Sequence, residues 1–446
     1  MKSMLRGTFI LFFIVSFSFA QETTRVVSID AAVQIALERN LGVIQQKNVA
    51  DGQESNVRAA YGALLPSVGA NGSWSRSQSH TENQFLNGIA VPLANTSTSN
   101  YFRTAVSADM TLFNGFENTS NVNRATSNAV AAEQNLYRVR QSTVFQAQSL
   151  YLNILRNDDL VGVSEDNLKR SQRQLDQIVE MNRLGARAIA DVYRQQYQVG
   201  NDELVLIQAR NNFEKAKADL ILFLGLNAND NYQFSDPTIK AEVDTAEFTL
   251  LNAQYKDFQA LTQQALSLRP DYKSAIEEMN AASSSITMAQ SGYFPTVNGS
   301  VSYGLSASEI NKLNDNRTLS WGINVSLPLF NGFQTDNQVQ TARVSYKNAE
   351  AQMMQTERSV QVDIKKALLD LDAAMKQVDV SQKNVRSADE DRKIQEEKYR
   401  LGASTLLDLL TANANYSTAL SNKVNAVYNY ITAKKNVDLA VGTIPY

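Results

Sequence analysis

Few residues in this chain are equipped for covalent chemistry. Its 446 residues include no cysteine and one histidine, His80, which removes thiol nucleophiles, disulfides, structural zinc and multi-histidine metal centres. His80 lies in a stretch rich in Ser, Thr and Asn, read as a surface loop, without an acid spaced to orient it. No nucleophile, base and orienting acid can be assembled, so no enzyme, cofactor or metal is expected. The most regularly placed charged residues are Asp191 and Asp408, each six positions after a glycine, Gly185 and Gly402. An acid just after a glycine turn suits the positive end of a helix dipole and needs no ligand to explain it. With 42 Lys+Arg against 45 Asp+Glu, the near-neutral balance predicts no nucleic-acid partner.

The elements that carry these residues are written twice. Leu112-Phe113-Asn114-Gly115-Phe116 recurs 217 residues later as Leu329-Phe330-Asn331-Gly332-Phe333. At the same offset Arg183-Leu184-Gly185-Ala186 recurs as Arg400-Leu401-Gly402-Ala403, Asp191 as Asp408, and Gly225 as Gly442. Upstream, Ala36-Leu37 and Pro66 match Ala265-Leu266 and Pro295 at an offset of 229. Several matches in one register imply a tandem duplication. The expected division is a signal peptide at 1–20, a first repeat at 21–225, a linker at 226–250 and a second repeat at 251–446. The signal peptide is read from Lys2 and Arg6, the apolar run Phe9 to Val15, and Ser18-Phe19-Ala20 as a cleavage site.

Each repeat reads in one order. A first helix, started by Ser28 and Asp30, runs through Ala36 and Leu37 to Pro66, and its partner ends near Pro295. Alternation of period two then marks strands: a weaker pair around Val68 to Arg76 and Val297 to Leu305, and a clearer pair ending at Leu112 and Leu329. The polar segments Ser77 to Asn100 and Ser306 to Arg317 read as hairpin loops. Asn114-Gly115 and Asn331-Gly332 supply the positive φ needed where strand becomes helix. Beyond them, apolar positions such as Val339, Ala342, Tyr346, Ala349 and Met353 step by three and four. A helix of ~65 residues would be on the order of 100 Å long, folding back at Gly185 or Gly402. With a mean hydropathy of −0.30 and no later apolar run of 18 or more residues, any membrane portion must be made of strands. Four strands cannot close a barrel alone. Two chains would give eight strands and three would give twelve, and the arithmetic leaves both open. Trp74 and Trp321 fit either an interfacial belt or simple packing.

These features, with the Leu-Phe-Asn-Gly-Phe turn after each second strand, resemble the TolC-like outer membrane efflux protein (outer membrane factor) family. The most specific segments are Tyr399-Arg400-Leu401-Gly402-Ala403-Ser404-Thr405-Leu406-Leu407-Asp408 and Asn182-Arg183-Leu184-Gly185-Ala186-Arg187-Ala188-Ile189-Ala190-Asp191. The resemblance implies a mainly α fold with a membrane β-barrel portion. Long helical hairpins would form a periplasmic α-barrel, and four transmembrane strands per chain would close as a twelve-stranded barrel in a homotrimer. It further implies a passive duct through outer-membrane lipid, serving tripartite efflux or type I secretion with a periplasmic adaptor (membrane fusion) protein and an inner-membrane pump or ABC transporter. By the same resemblance the adaptor docks on the hairpin-tip turns at Arg183, Leu184, Gly185, Arg400, Leu401 and Gly402. Asp191 and Asp408 would line the periplasmic constriction, with Tyr399 helping to hold it closed. Arg187 stands open between a gating partner and a solvated residue. Thr411 replaces a second acid found in some members, which weakens the expected cation block. The alternative is a non-conducting, periplasm-spanning coiled-coil tether, which would not need the alternation from Leu319 to Leu329.

Overall fold

The computed structural model describes residues 25–81, 84–91, 95–237 and 242–445, so the expected signal peptide lies outside the described residues. The chain opens with strand β1 (Arg25–Val27), helix α1 (Ile29–Arg39) and helix α2 (Leu41–Gly62). Ser28 caps α1 as expected, accepting from the Ala31 N–H. The single first helix expected from Ser28 to Pro66 is instead two helices. Asn40 takes an extended conformation, with ψ at 126°, and its side chain accepts from Gly42 N–H to start α2. The second repeat breaks at the equivalent position, Arg269, where Pro270 supplies the first residue of the next helix.

Strand β2 (Ser67–Thr81), the short hairpin β3 (Gln84–Leu86) and β4 (Ile89–Val91), and β5 (Asn95–Asn114) follow. The ladder between β2 and β5 continues to the pair Thr81 and Asn95. Much of the segment expected to be an exposed loop, Ser77 to Asn100, is therefore paired strand. Its Ser and Thr side chains bond across it, Ser79 to Ser97 and His80 Nδ1 to Thr96, both at 2.8 Å. His80 is thus a strand residue and not a loop residue. The turn of the small hairpin is Asn87-Gly88, both at positive φ.

Helices α3 (Glu117–Arg183) and α4 (Ile189–Phe223) form the first long hairpin. The stretch 226–250, expected to be only a linker, carries strand β6 (Tyr232–Phe234), which pairs in parallel with β1, and the start of α5 (Ala246–Gln254). Helices α6 (Phe258–Leu268) and α7 (Pro270–Gln290) precede strands β7 (Thr296–Ala307) and β8 (Arg317–Ser326). The expected strand to Leu329 ends at Ser326, and Pro328, which has no N–H, stands two residues beyond. The second long hairpin is α8 (Gln334–Arg400) and α9 (Leu406–Val441). Both α3 and α8 have 67 residues, about 100 Å at 1.5 Å per residue.

The sheet order is β2-β5-β7-β8, antiparallel throughout. Its register sorts side chains by polarity across all four strands. Ala70, Val106, Tyr303 and Leu319 form one cross-strand row, and Val68, Ala108, Val301 and Trp321 the next, on the same face. The opposite face carries rows such as Gly69, Ser107, Ser302 and Ser320. A one-residue slip would exchange the two faces, so polarity pins the register. Among the described residues no helix covers the apolar side of β8, and Trp321 is 78% exposed in the single chain.

Two of the buried clusters that hold the helices are quasi-equivalent. Ala147, Tyr151, Ile154 and Leu220 pack with Val27, Ala36 and Phe234, while Ile364, Leu371 and Val437 pack with Leu251 and Ala265. Each fully buried Leu or Ile contributes about 1.5–3 kcal/mol. Among the described residues no helix is long and apolar enough to cross a membrane.

Candidate gate and docking tip

The two hairpin tips share one construction. Gly185 and Gly402 adopt φ of +77° and +76°. The chain there curls so that Ala186 N–H reaches Met181 C=O and Ala403 N–H reaches Lys398 C=O, each at 2.8 Å, closing the C-termini of α3 and α8. Arg183 pairs with Glu180 and Arg400 with Glu397, both one turn back on the helix surface. Leu184 and Leu401 project into solvent. The residues expected to dock an adaptor lie at the two hairpin ends, one exposed cationic and one exposed apolar side chain on each turn.

The tips differ in how their return helices begin. Thr405 and Asp408 form a reciprocal capping box: Asp408 N–H donates to the Thr405 hydroxyl, and Thr405 N–H donates to the Asp408 carboxylate at 2.9 Å. The Thr405 hydroxyl, 2.6 Å from the carboxylate, and then the Thr405 N–H hold the Asp408 carboxyl below its ordinary pKa. At the other tip the corresponding cap is Ala188, which offers no side-chain bond. There Asn182 donates to Arg187 C=O at 2.7 Å, and Asp191 pairs with Arg194 at 3.4 Å. Thr411, the position of the missing second acid, is exposed on α9.

Tyr399, Arg187 and Asp191 come together, linking the hairpins. The Arg187 guanidinium lies 4.1 Å from the centroid of the Tyr399 ring and donates to the Tyr399 carbonyl. Tyr399 is buried against Ile178, Val192, Leu406 and Leu409, and among the described residues its hydroxyl has no hydrogen-bond partner. Burial raises its pKa; the Arg187 charge opposes that rise and the Asp191 charge adds to it. Asp408, by contrast, makes its bonds within its own cap.

Sequence reasoning missed Thr405 and Arg194. The first was readable, since Thr405-Leu406-Leu407-Asp408 has the capping-box spacing. It also placed positive φ only on the glycines of the strand-to-helix turns. Gly115 and Gly332 do have it, at +65° and +64°, but so do Phe116 and Phe333, at +69° and +63°. Edge-on ring contacts with Phe113 and Phe330, at 5.5 and 5.6 Å, accompany this otherwise unfavourable geometry. Asn114 accepts from Asn118 N–H and Asn331 donates to Thr335, so each asparagine fastens the first turn of its helix.

A four-stranded sheet sorted into apolar and polar faces is joined to two helical hairpins whose longer arms are each about 100 Å. The chain belongs to the family described as outer membrane efflux protein, which it matches over residues 32–226 and 261–443. It is 24% identical to the outer membrane protein TolC of Salmonella enteritidis over 88% of this chain and 77% of that one. With TolC of Escherichia coli strain K12 it shares 22% identity over 88% and 78% of the two chains. The fold superposes on the outer membrane protein VceC of Vibrio cholerae with a TM-score of 0.78, at 18% identity, covering 93% of this chain and 96% of that one. The protein is an outer-membrane efflux channel, with its strands in the membrane and its helical portion in the periplasm.

Proposed function

We propose that three copies of this chain close into a twelve-stranded barrel continued by a helical tunnel, a passive exit duct that performs no covalent chemistry. The observation that carries this reading is a surface left bare in the single chain. Sheet edges β2 and β8 have no strand partner among the described residues, and an open edge of this length calls for pairing. Within the chain, repeat one is covered by repeat two: β5 pairs with β7, and Gly115 packs directly on Ser291 and Phe294. The equivalent surface of repeat two, including Leu329, 91% exposed, and Phe330, 76% exposed, faces solvent. Residues 62–65 are the internal equivalents of 291–294. A second copy would offer its own 62–65 to this surface and its β2 to β8, and a third would close the ring.

In that ring the tips converge. Asp191 and Asp408 supply six carboxylates around the axis, favouring cations, while Tyr399 and Arg187 fasten one hairpin to the other in the closed state. The exposed Arg183-Leu184-Gly185 and Arg400-Leu401-Gly402 turns dock a periplasmic adaptor, through which an inner-membrane pump or ABC transporter supplies energy and selects cargo for efflux or type I secretion. The division into repeats at 21–225 and 251–446, behind a cleaved 1–20, belongs to the same reading.

The test is conductance of the detergent-extracted oligomer in a planar lipid bilayer, with a divalent cation added to each side in turn. Long-lived channels blocked from one side are expected. Reproducible silence from folded oligomer, persisting in Arg187→Ala, would favour the tether.

A further inference from the structure

Above the tip, α3, α8 and α9 enclose a cleft of about 300 Å³ lined by Arg170, Arg173, Arg392, Gln174, Gln177 and Asn413, with Glu396 at its side. Two of the lining guanidiniums also flank the Tyr416 ring, Arg170 at 5.4 Å and Arg392 at 5.1 Å from its centroid. Arg392 is neutralised by Asp389 at 2.9 Å and Glu396 at 3.0 Å. Among the described residues Arg170 and Arg173 have no carboxylate within ion-pair distance. Among the described residues Arg170 reaches only the neutral oxygens of Asn167 and Ser417, and its buried Nε has no acceptor. A buried guanidinium N–H without an acceptor is costly, and such groups mark a missing partner. Burial, with the repulsion of Arg392 and Arg173, lowers the pKa of Arg170, the direction that a bound anion would reverse.

The duplication does not explain this cluster. At the offset of 217 the counterparts of Arg170, Arg173, Arg392 and Tyr416 are Ser387, Glu390, Leu175 and Val199. The cleft departs from the repeat at four positions together, so its charge is not a by-product of copying a helix seam. Its position also limits the ligand. Arg170 precedes the tip glycine by 15 residues, about 20 Å along the helix, and the strands lie at the helix's far end. Outer-membrane headgroups cannot reach it.

We infer that this cleft binds a small multivalent oxyanion of the phosphate class, held by Arg170 and Arg173 with amide donors from Gln174, Gln177 and Asn413. Planar guanidiniums match the paired oxygens of such an ion. Bound there, it would bridge α3 of the first hairpin to α8 and α9 of the second and resist their separation near the tip.

The test uses the full oligomer in detergent and inorganic phosphate as the probe. Phosphorus-31 line broadening and calorimetric titration, at constant ionic strength with chloride as the balancing anion, should show saturable binding. It should weaken at least about tenfold in Arg170→Gln, the loss of one charge-assisted contact, and be unchanged in the surface control Lys215→Gln. Phosphate should slow hydrogen exchange around residues 167–177 in the unaltered protein, a readout that does not depend on the variant folding. Absence of saturable binding to the unaltered protein, or equal affinity in Arg170→Gln and Lys215→Gln, would overturn the assignment.

Discussion

The two strand-to-helix turns have the same five residues, Leu-Phe-Asn-Gly-Phe, and the same backbone, yet opposite surroundings. A Cβ on Gly115 would lie 2.8 Å from Phe294 Cβ and from Ser291 O, whereas one on Gly332 would meet nothing within 4 Å. Identical local sequence thus gives identical local conformation, but one turn is covered by its own chain and the other is bare. In the proposed ring, the bare turn is the surface that a neighbouring copy would fill. The contrast also separates two reasons for a glycine. Gly115 is needed for its φ and for space, while in the single chain Gly332 is needed for φ alone.

The largest expected effect is on assembly. Leu329→Asp with Phe330→Asp adds two charges to the bare turn and should abolish the oligomer, read by native mass spectrometry. Persistence of the full oligomer would break the comparison. Next come the glycines. In the separated chain, Gly332→Ala should cost about 1–2 kcal/mol from φ alone, and Gly115→Ala about 1–3 kcal/mol more from overpacking, read by denaturant unfolding. In the oligomer the two costs should converge, because residues 62–65 of a neighbour would then crowd Gly332.

The tips offer a second contrast, one closed by a side-chain cap and the other by a cation on an aromatic ring. Tyr399 has a raised pKa through burial. Its folded state therefore keeps the proton longer than the unfolded chain, whose tyrosines titrate near pH 10. That contribution is complete below pH ~10 and is lost as pH rises through the folded value. Hydrogen exchange at Ile178 and Leu409 should accelerate over that alkaline range, and Tyr399→Phe should flatten the profile. The smallest effect belongs to the caps. Thr405→Ala should cost about 1 kcal/mol, and Ala188→Ser should recover up to a similar amount at the other tip. Asp408 has a lowered pKa, so its part of the cap is present above pH ~4 and fades as pH falls through the folded value. Thermal melts of each variant across pH 3 to 6 would check the sign.

Much of this architecture was legible because it rests on local rules. Alternation marked strands β5 and β8, although β8 stops at Ser326 short of the expected Leu329; three-and-four spacing marked the long helices, and Gly185 and Gly402 marked the tips. The breaks at Asn40 and Arg269 were not legible as breaks, because each is held from far away. Asn40 donates to Phe223 C=O at 3.1 Å and Arg269 to Ala440 C=O at 3.2 Å, equivalent carbonyls on the return helices. The polar ladder between Ser77 and Asn100 was missed because hydroxyl pairing across strands leaves no apolar alternation to detect.

The sequence by itself determined the motifs repeated 217 residues apart, the helix and strand periods, the lack of any cysteine, and the glycines whose positive φ turns the chain. These depend on residues within a few positions of one another. Tertiary structure decided which acid is used as a cap, which tyrosine is buried beneath an arginine, which glycine lacks room for a side chain, and which arginine is left without an acceptor. Each of those depends on groups from different helices approaching within a few ångströms, a distance that separation along the chain does not encode.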